Sequence, residues 1–265
     1  MPLLIMTPAT DFSLTAADLS VLGPLAEHRI LIVPQVAALL GVSERTAVRR
    51  LKRLDDAGLV LHRQIFAGAP HAARITSPGL RAVGSELKAP SVNLNEYRHD
   101  VGVAWLWLAA RAGSFGELTG MTSDRRMQAV DAAAVSAGGR AQWGVGVGMF
   151  GYHGTPQHHY PDLLLELASG HRAAVELELT SKSVRRMSRI MLAYASDARI
   201  DQVLYLVGNQ RIAQRVTESA RRAGIGDRVH VQLLAPDGIE GAALGGARVP
   251  PRAAGHALQP QGAER

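Results

Sequence analysis

Four acidic residues stand among apolar ones in HHYPDLLLELASGHRAAVELELTSKS, the stretch from His158 to Ser183, and three of them raise a question of chemistry. It reads as two extended runs joined by an Ala-Ser-Gly turn, and it carries Asp162, Glu176 and Glu178. A buried carboxylate is costly unless it is paired or coordinates a cation. Alternate residues of a strand share a face, so Glu176, Glu178 and Thr180 point one way and Val175, Leu177 and Leu179 the other. On the preceding run Asp162 shares a face with Leu164 and Glu166, and the turn lets it approach the two glutamates. Three converging carboxylates repel unless a cation sits among them. Magnesium, or manganese, suits such a set, because hard oxygen ligands and retained waters leave room for a phosphate. Such an ion would activate water and neutralise charge at phosphorus, so the expected chemistry is phosphodiester cleavage with Asp162, Glu176 and Glu178 as metal ligands. The plainer alternative is an edge hairpin with a solvated face, its glutamates paired with Arg172 or Lys182.

The elements that would position these acids follow a regular order. The apolar patterning predicts strands over 160–167 and 172–180, a helix over 183–198, a strand over 202–207, a helix over 209–223 and a strand over 229–234. In helix 183–198, Met187, Ile190, Met191 and Tyr194 form the buried stripe. Arg185, Arg186 and Arg189 lie outside it, where they could hold a DNA backbone.

A second constellation lies upstream. TAADLSVLGPLAEH reads as a helix capped by Ser13 or Thr15, and PQVAALLG as a short helix opened by Pro34 and closed by Gly41. Ser43 caps SERTAVRRLKRLDDAG, and LVLHRQIF with AARITSPG reads as a hairpin. This order is that of a winged helix-turn-helix over 14–88. Helix 43–57 would turn Val48, Leu51 and Leu54 inward and present Ser43, Arg45, Thr46, Arg49, Arg50 and Arg53 to double-stranded DNA. His62, Arg63 and Arg74 of the wing would meet the flanking backbone. The alternative is a solvated charged helix, or a winged helix used for protein contacts.

Residues 89–97 read as a linker, 98–240 as the second domain and 241–265, rich in Ala, Gly and Pro, as a disordered tail. The expected fold is therefore mixed α+β or α/β: an N-terminal winged helix-turn-helix, then a restriction-endonuclease-like mixed sheet flanked by helices.

Taken together, VPQVAALLGVSERTAVRRLKRLDDAGLV, YRHDVGVAWLWL, YPDLLLEL, AVELELTSKSVRRMSRIMLAYAS and VLYLVGN resemble the replication-relaxation family. The strand pair is similar to the PD-(D/E)xK nuclease core. The resemblance covers about residues 15–235. It implies DNA binding in plasmid or mobile-element replication and relaxation, with magnesium-dependent nicking as its sharper form. It makes Asp162 and Glu176 the metal carboxylates of the nuclease motif. Glu178 occupies the position where the motif has lysine, so Lys182 would restore the ammonium as a displaced catalytic lysine. Otherwise the domain is a degenerate one that only grips DNA. The resemblance also implies a further acid from the first helix, with Glu117 and Asp124 as candidates.

Other signals carry less. GVGMFG at 146–151 matches G-x-G-x-x-G, but YHGTPQHH after it is not the helix a dinucleotide fingerprint requires. His153, His158 and His159 read as exposed loop histidines, with metal ligation or a phosphate contact as alternatives. His99-Asp100 reads as a helix start packed across the domain junction, and Trp105 and Trp107 as buried between domains. No pocket signature supports a ligand-sensing regulator.

The chain has 265 residues, a net charge of +6 and no cysteine. The charge favours a polyanionic partner, and the missing cysteines exclude a disulfide framework and a thiolate metal site. The start, MPLLIMTPATDF, lacks the basic region of a signal peptide, and VGVAWLWLAA is too short to span a bilayer. A cytoplasmic location without membrane contact is the expectation, and a homodimer is the habit of winged-helix proteins.

Overall fold

The structure, a computed structural model, describes residues 13–150 and 155–234. His153, the end of the GVGMFG motif and the stretch 241–265 read as a disordered tail lie outside those residues.

Thr15 rather than Ser13 caps the first helix, α1 (Ala16–Glu27), in a reciprocal capping box: the Thr15 hydroxyl accepts from the Asp18 N–H, and the Asp18 carboxylate accepts from the Thr15 N–H. A two-residue strand, β1 (Leu31–Ile32), leads into α2 (Val33–Leu40). Pro34 sits in the first turn of α2, and Gly41, at φ +63°, ends it in the left-handed region that glycine tolerates. Ser43 caps α3 (Glu44–Asp56). The strands β2 (Val60–Arg63) and β3 (Ala72–Ile75) pair antiparallel, and β1 adds to β3, giving the order β1-β3-β2. The short helix α4 (Ser77–Ala82), capped by Thr76, closes this unit. Neither β1 nor α4 was expected, because two and six residues are too few for periodicity to register.

Ala47, Leu51 and Leu54 are the buried positions of α3. Val48, expected to face inward, is 40% exposed, since the turn per residue carries it onto the flank beside Arg45 and Lys52. What holds α3 on α1 is electrostatic as well as apolar. Asp18 has no exposure, and it pairs with Arg50 (2.8 Å) and with Arg53 of α3.

The stretch read as a linker contains a single 3-10 turn, Leu94–Glu96, and then α5 (Tyr97–Arg111), which is buried along nearly its whole length. The glycine-rich stretch 114–159, for which the patterning predicts no elements, forms β4 (Leu118–Ser123), α6 (Asp124–Ser136), β5 (Val145–Phe150) and β6 (Thr155–His159). Residues 145–150 are thus a glycine-rich strand paired with β6, and no helix opens there. The expected elements follow: β7 (Leu163–Leu167), β8 (Arg172–Glu178), α7 (Val184–Ser196), β9 (Gln202–Val207), α8 (Gln210–Arg222) and β10 (Val229–Leu233). They build a mixed five-stranded sheet in the order β10-β9-β8-β7-β4. The pairs β8–β9 and β9–β10 are parallel, with α7 and α8 as the crossovers that parallel strands require. The pairs β4–β7 and β7–β8 are antiparallel.

The sheet is covered on both faces. Leu163, Leu165, Ala173, Val175 and Leu177 pack with α5, whereas Leu164, Ala174 and Val203 pack with α7 and α8. Because α5 also meets Ile30, Ile32 and Ala72, one apolar cluster runs from the N-terminal unit into the sheet. Trp105 and Trp107 are buried in it as expected. The ring of His28 meets Trp107 edge-on at 5.2 Å, and its burial pushes its pKa down to about 4.

Asp18 generates the first prediction. Burial pushes its carboxyl up, but hydrogen bonds from Arg53, Thr15 and Arg50 outweigh that and hold it below the usual carboxylate range. A depressed carboxyl stabilises the fold above its unfolded value and loses that contribution as pH falls through the folded one. Asp18→Asn is therefore expected to cost about 3–5 kcal/mol near pH 7. Urea denaturation should show the gap between wild type and variant narrowing below about pH 4. A gap that stays constant with pH would disprove the pairing.

Candidate functional site

The two glutamates of β8 lie on the middle strand of the sheet and are only 2% and 3% exposed. That rules out the solvated edge hairpin. Alternation puts them on the side of Ala174, facing α7, where Met187, Ile190 and Met191 cover the same surface. Each glutamate is met by a donor. Glu176 accepts from the Tyr194 hydroxyl of α7 and contacts His159 Nε2 of β6 at 2.5 Å. Glu178 pairs with Lys182, which sits in the short link between β8 and α7. Arg172, the other cation expected for the glutamates, pairs instead with Glu166 at 2.7 Å.

Asp162 falls just before β7 rather than within it. Its Oδ2 accepts the Leu177 N–H at 2.7 Å, which ties it to β8 between the two glutamates, and it meets His99 Nε2 of α5 at 3.2 Å. His99 stands in turn beside Asp100, with its Nδ1 at 4.0 Å from the carboxylate. Burial alone would lower the His99 pKa, but hydrogen bonds and charge from Asp100 and Asp162 raise it to about 10. The ring is therefore an imidazolium at neutral pH. For Asp162, burial raises the carboxyl and His99, with the Leu177 N–H and Lys182, more than reverses it, so the net shift is downward. Glu178 shifts the other way: burial dominates, Lys182 opposes it, and the charges of Glu176 and Asp162 add to the rise.

All four residues expected to be catalytic, Asp162, Glu176, Glu178 and Lys182, line one cavity of about 580 Å³. The structure thus brings together side chains from the residue before β7, from β8 and from the β8–α7 link. Of the further acids, Asp124 lines the same cavity, whereas Glu117 is exposed just before β4. Asp124 is neutralised by Arg29 at 2.8 Å, and Arg29 also reaches Asp100 at 3.6 Å. As arranged, the carboxylates do not fit a magnesium or manganese ion. Each already holds its own cation or hydroxyl, and among the described residues no three His, Asp or Glu side chains form a group that could hold a metal.

His158 and His159, read as exposed loop residues, belong to β6, and the His159 side chain is only 14% exposed because it reaches across to Glu176. His99 was visible as a polar pair with Asp100 at the start of an apolar helix, but nothing local pointed to Asp162. Arg29 carried no sequence signal at all.

The basic helix divides into two sets. Arg45, Arg49 and Lys52 are exposed, and Val48 lies among them. Arg50 and Arg53 turn instead toward Asp18, because a fully buried carboxylate on α1 draws both. Ser43 is spent on the helix cap, with Thr46 as its partner. In the hairpin, Arg63 bonds Asp55 at 2.5 Å and Arg74 donates to the Pro90 carbonyl at 2.9 Å. Arg185 and Arg186 are exposed on the first turn of α7, with Arg186 lining the cavity, while Arg189 is half-buried.

Fold and site define an α+β protein with a mixed five-stranded sheet flanked by helices and a cavity of self-neutralised carboxylates at the middle strand. No family model matches the chain, and no curated protein does. Among the described residues no helix is long and apolar enough to cross a membrane.

The His99 environment is measurable directly. Proton and nitrogen NMR of the imidazole should show a titration midpoint near 10 in the native protein. Asp162→Asn should move it down by roughly one unit or more. A midpoint at the ordinary value near 6.5 would mean that His99 does not hold Asp162 in solution.

Proposed function

We propose that the chain binds double-stranded DNA through α3. The observation that carries this is the exposed stripe Arg45, Val48, Arg49 and Lys52, at spacing i, i+3, i+4, i+7, over the buried Ala47, Leu51 and Leu54. A helix entering a major groove needs this division: an apolar face for its own core and a donor-rich face for phosphates and base edges. Arginine forks suit guanine, and the Val48 methyls suit a thymine methyl. On this reading the N-terminal unit is a winged helix with β2–β3 as the wing. Arg50 and Arg53 then serve mainly to fix the pose of α3 on α1. Ser43 and Thr46, at the capped end of α3, stand beside the stripe.

A role in plasmid or mobile-element replication and relaxation rests on the family resemblance. For the cavity, the existing pairs His99–Asp162, His159–Glu176 and Lys182–Glu178 favour a degenerate, DNA-gripping nuclease-like domain over magnesium- or manganese-dependent nicking. A metal would have to displace an imidazolium and an ammonium to reach these oxygens.

Arg45→Ala with Arg49→Ala is expected to weaken duplex binding by tenfold or more and to reduce the slope of log K against log salt by about 2. Unchanged affinity in a fluorescence-anisotropy titration would remove α3 as the DNA-binding helix. Supercoiled plasmid incubated with the protein and magnesium or manganese should stay supercoiled. Nicking that disappears in Asp162→Ala and Glu176→Ala would instead establish the nuclease.

A further inference from the structure

We infer that the cavity beside β8 takes a single nucleic-acid strand, one or two nucleotides deep, and not a duplex; this rests on reading the chain as a DNA-binding protein. Size is the first argument. A volume of about 580 Å³ lies within the roughly 300–1,000 Å³ that holds a small ligand, which fits a nucleotide or two and excludes a double helix.

The second argument is the lining. A groove for single strands combines aromatic faces, on which bases stack, with cations that follow the backbone. Tyr160 and His158 both line the cavity, with ring centroids 6.4 Å apart. The tyrosine is held at its polar end and at the Cε1–Cζ side of its ring. Its hydroxyl bonds the buried Asp131, and burial together with that acid pushes its pKa up to about 12. Asp131 is itself anchored by the backbone N–H groups of Gln142, Trp143 and Gly144. The tyrosine ring lies so close to Gly144 that an added Cβ there would sit 2.9 Å from it. A stacking ring already fixed by these two contacts loses little entropy when a base settles on it.

The third argument is charge. Acids line the cavity and would repel a phosphate, but Asp162 and Glu178 pair with His99 and Lys182, Glu176 is held by hydrogen bonds from Tyr194 and His159, and Asp100, Asp124 and Glu96 gather around Arg29. Arg186, exposed at the first turn of α7, then supplies a cation at the cavity for the strand's backbone. The site therefore holds a strand by stacking and by phosphate contact, without base readout.

The test uses the full chain, a labelled duplex, and an oligothymidylate of about eight nucleotides carrying one 2-aminopurine. The oligothymidylate should bind with quenching of the 2-aminopurine. Tyr160→Leu should abolish the quenching and weaken binding by roughly tenfold, and Arg186→Ala should weaken it by about fivefold, with duplex affinity unchanged in both. Tyr160→Phe, which keeps the ring, should retain the quenching. Arg45→Ala with Arg49→Ala should do the reverse, losing duplex and keeping the single strand. If the oligothymidylate binds equally well to the Tyr160→Leu and Arg186→Ala variants, the inference is overturned. Duplex binding without single-strand binding overturns it too and leaves the α3 reading standing. Binding of neither overturns both.

Discussion

Placing Glu176 and Glu178 inside the sheet, on its middle strand, is the constraint that organises the rest of the molecule. A buried carboxylate without a partner costs more than the fold can spare. Three neighbouring segments accordingly contribute donors: α7 gives Tyr194, β6 gives His159, and the β8–α7 link gives Lys182. Asp162, tied to the Leu177 N–H of the same strand, adds a third acid and recruits His99 from α5. The glycine-rich β5–β6 hairpin has its place for the same reason, since it brings His159 to the sheet. These side chains form a polar core in which each member is held by another, and such networks are rigid when fully satisfied.

The same logic joins α1 to the elements around the sheet. Arg29, which follows α1, neutralises Asp124 and reaches Asp100, and Asp100 stands beside His99. Arg125 at the start of α6 donates to the Ala26 carbonyl at 2.6 Å, and Arg126 pairs with Glu27. At its other end α1 holds α3 through Asp18. Charge pairs at the two ends of α1 therefore tie it to the helix proposed to meet duplex DNA and to residues lining the cavity proposed to hold a strand. The apolar counterpart is α5, whose buried face contacts Ile30 and Ile32 on one side and β7 and β8 on the other. The stretch read as a linker thus leads into a shared core element.

Much of the architecture was legible because it is carried by local chemistry. Pro34, Gly41 and Ser43 mark the ends of α2 and α3 through backbone geometry and capping, and these act within a few residues. The runs at β8, α7, β9 and α8 had clear periods and clean stops. Between residues 114 and 159 the signals conflicted: glycines broke every period, and histidines that look like loop residues belong to a strand. Val48 was misplaced for a related reason. An apolar residue one position from the buried stripe is indistinguishable by type, and only packing against α1 and α2 decides which residue turns in.

Sequence alone determined the mixed α+β class, the capped basic helix, the alternation that puts Glu176 and Glu178 on one face, and their closeness in sequence to Lys182. Tertiary structure alone decided the partners. His99 lies 63 residues from Asp162 and Arg29 lies 95 residues from Asp124, so no spacing rule joins them. It also decided that Arg50 and Arg53 would turn to Asp18 while Arg45 and Arg49 stay exposed. The physical reason is common to all of these. Residue type fixes what charge a side chain carries, but which opposite charge neutralises it depends on what the folded chain brings within a few ångströms, in a medium where leaving it unpaired is prohibitive.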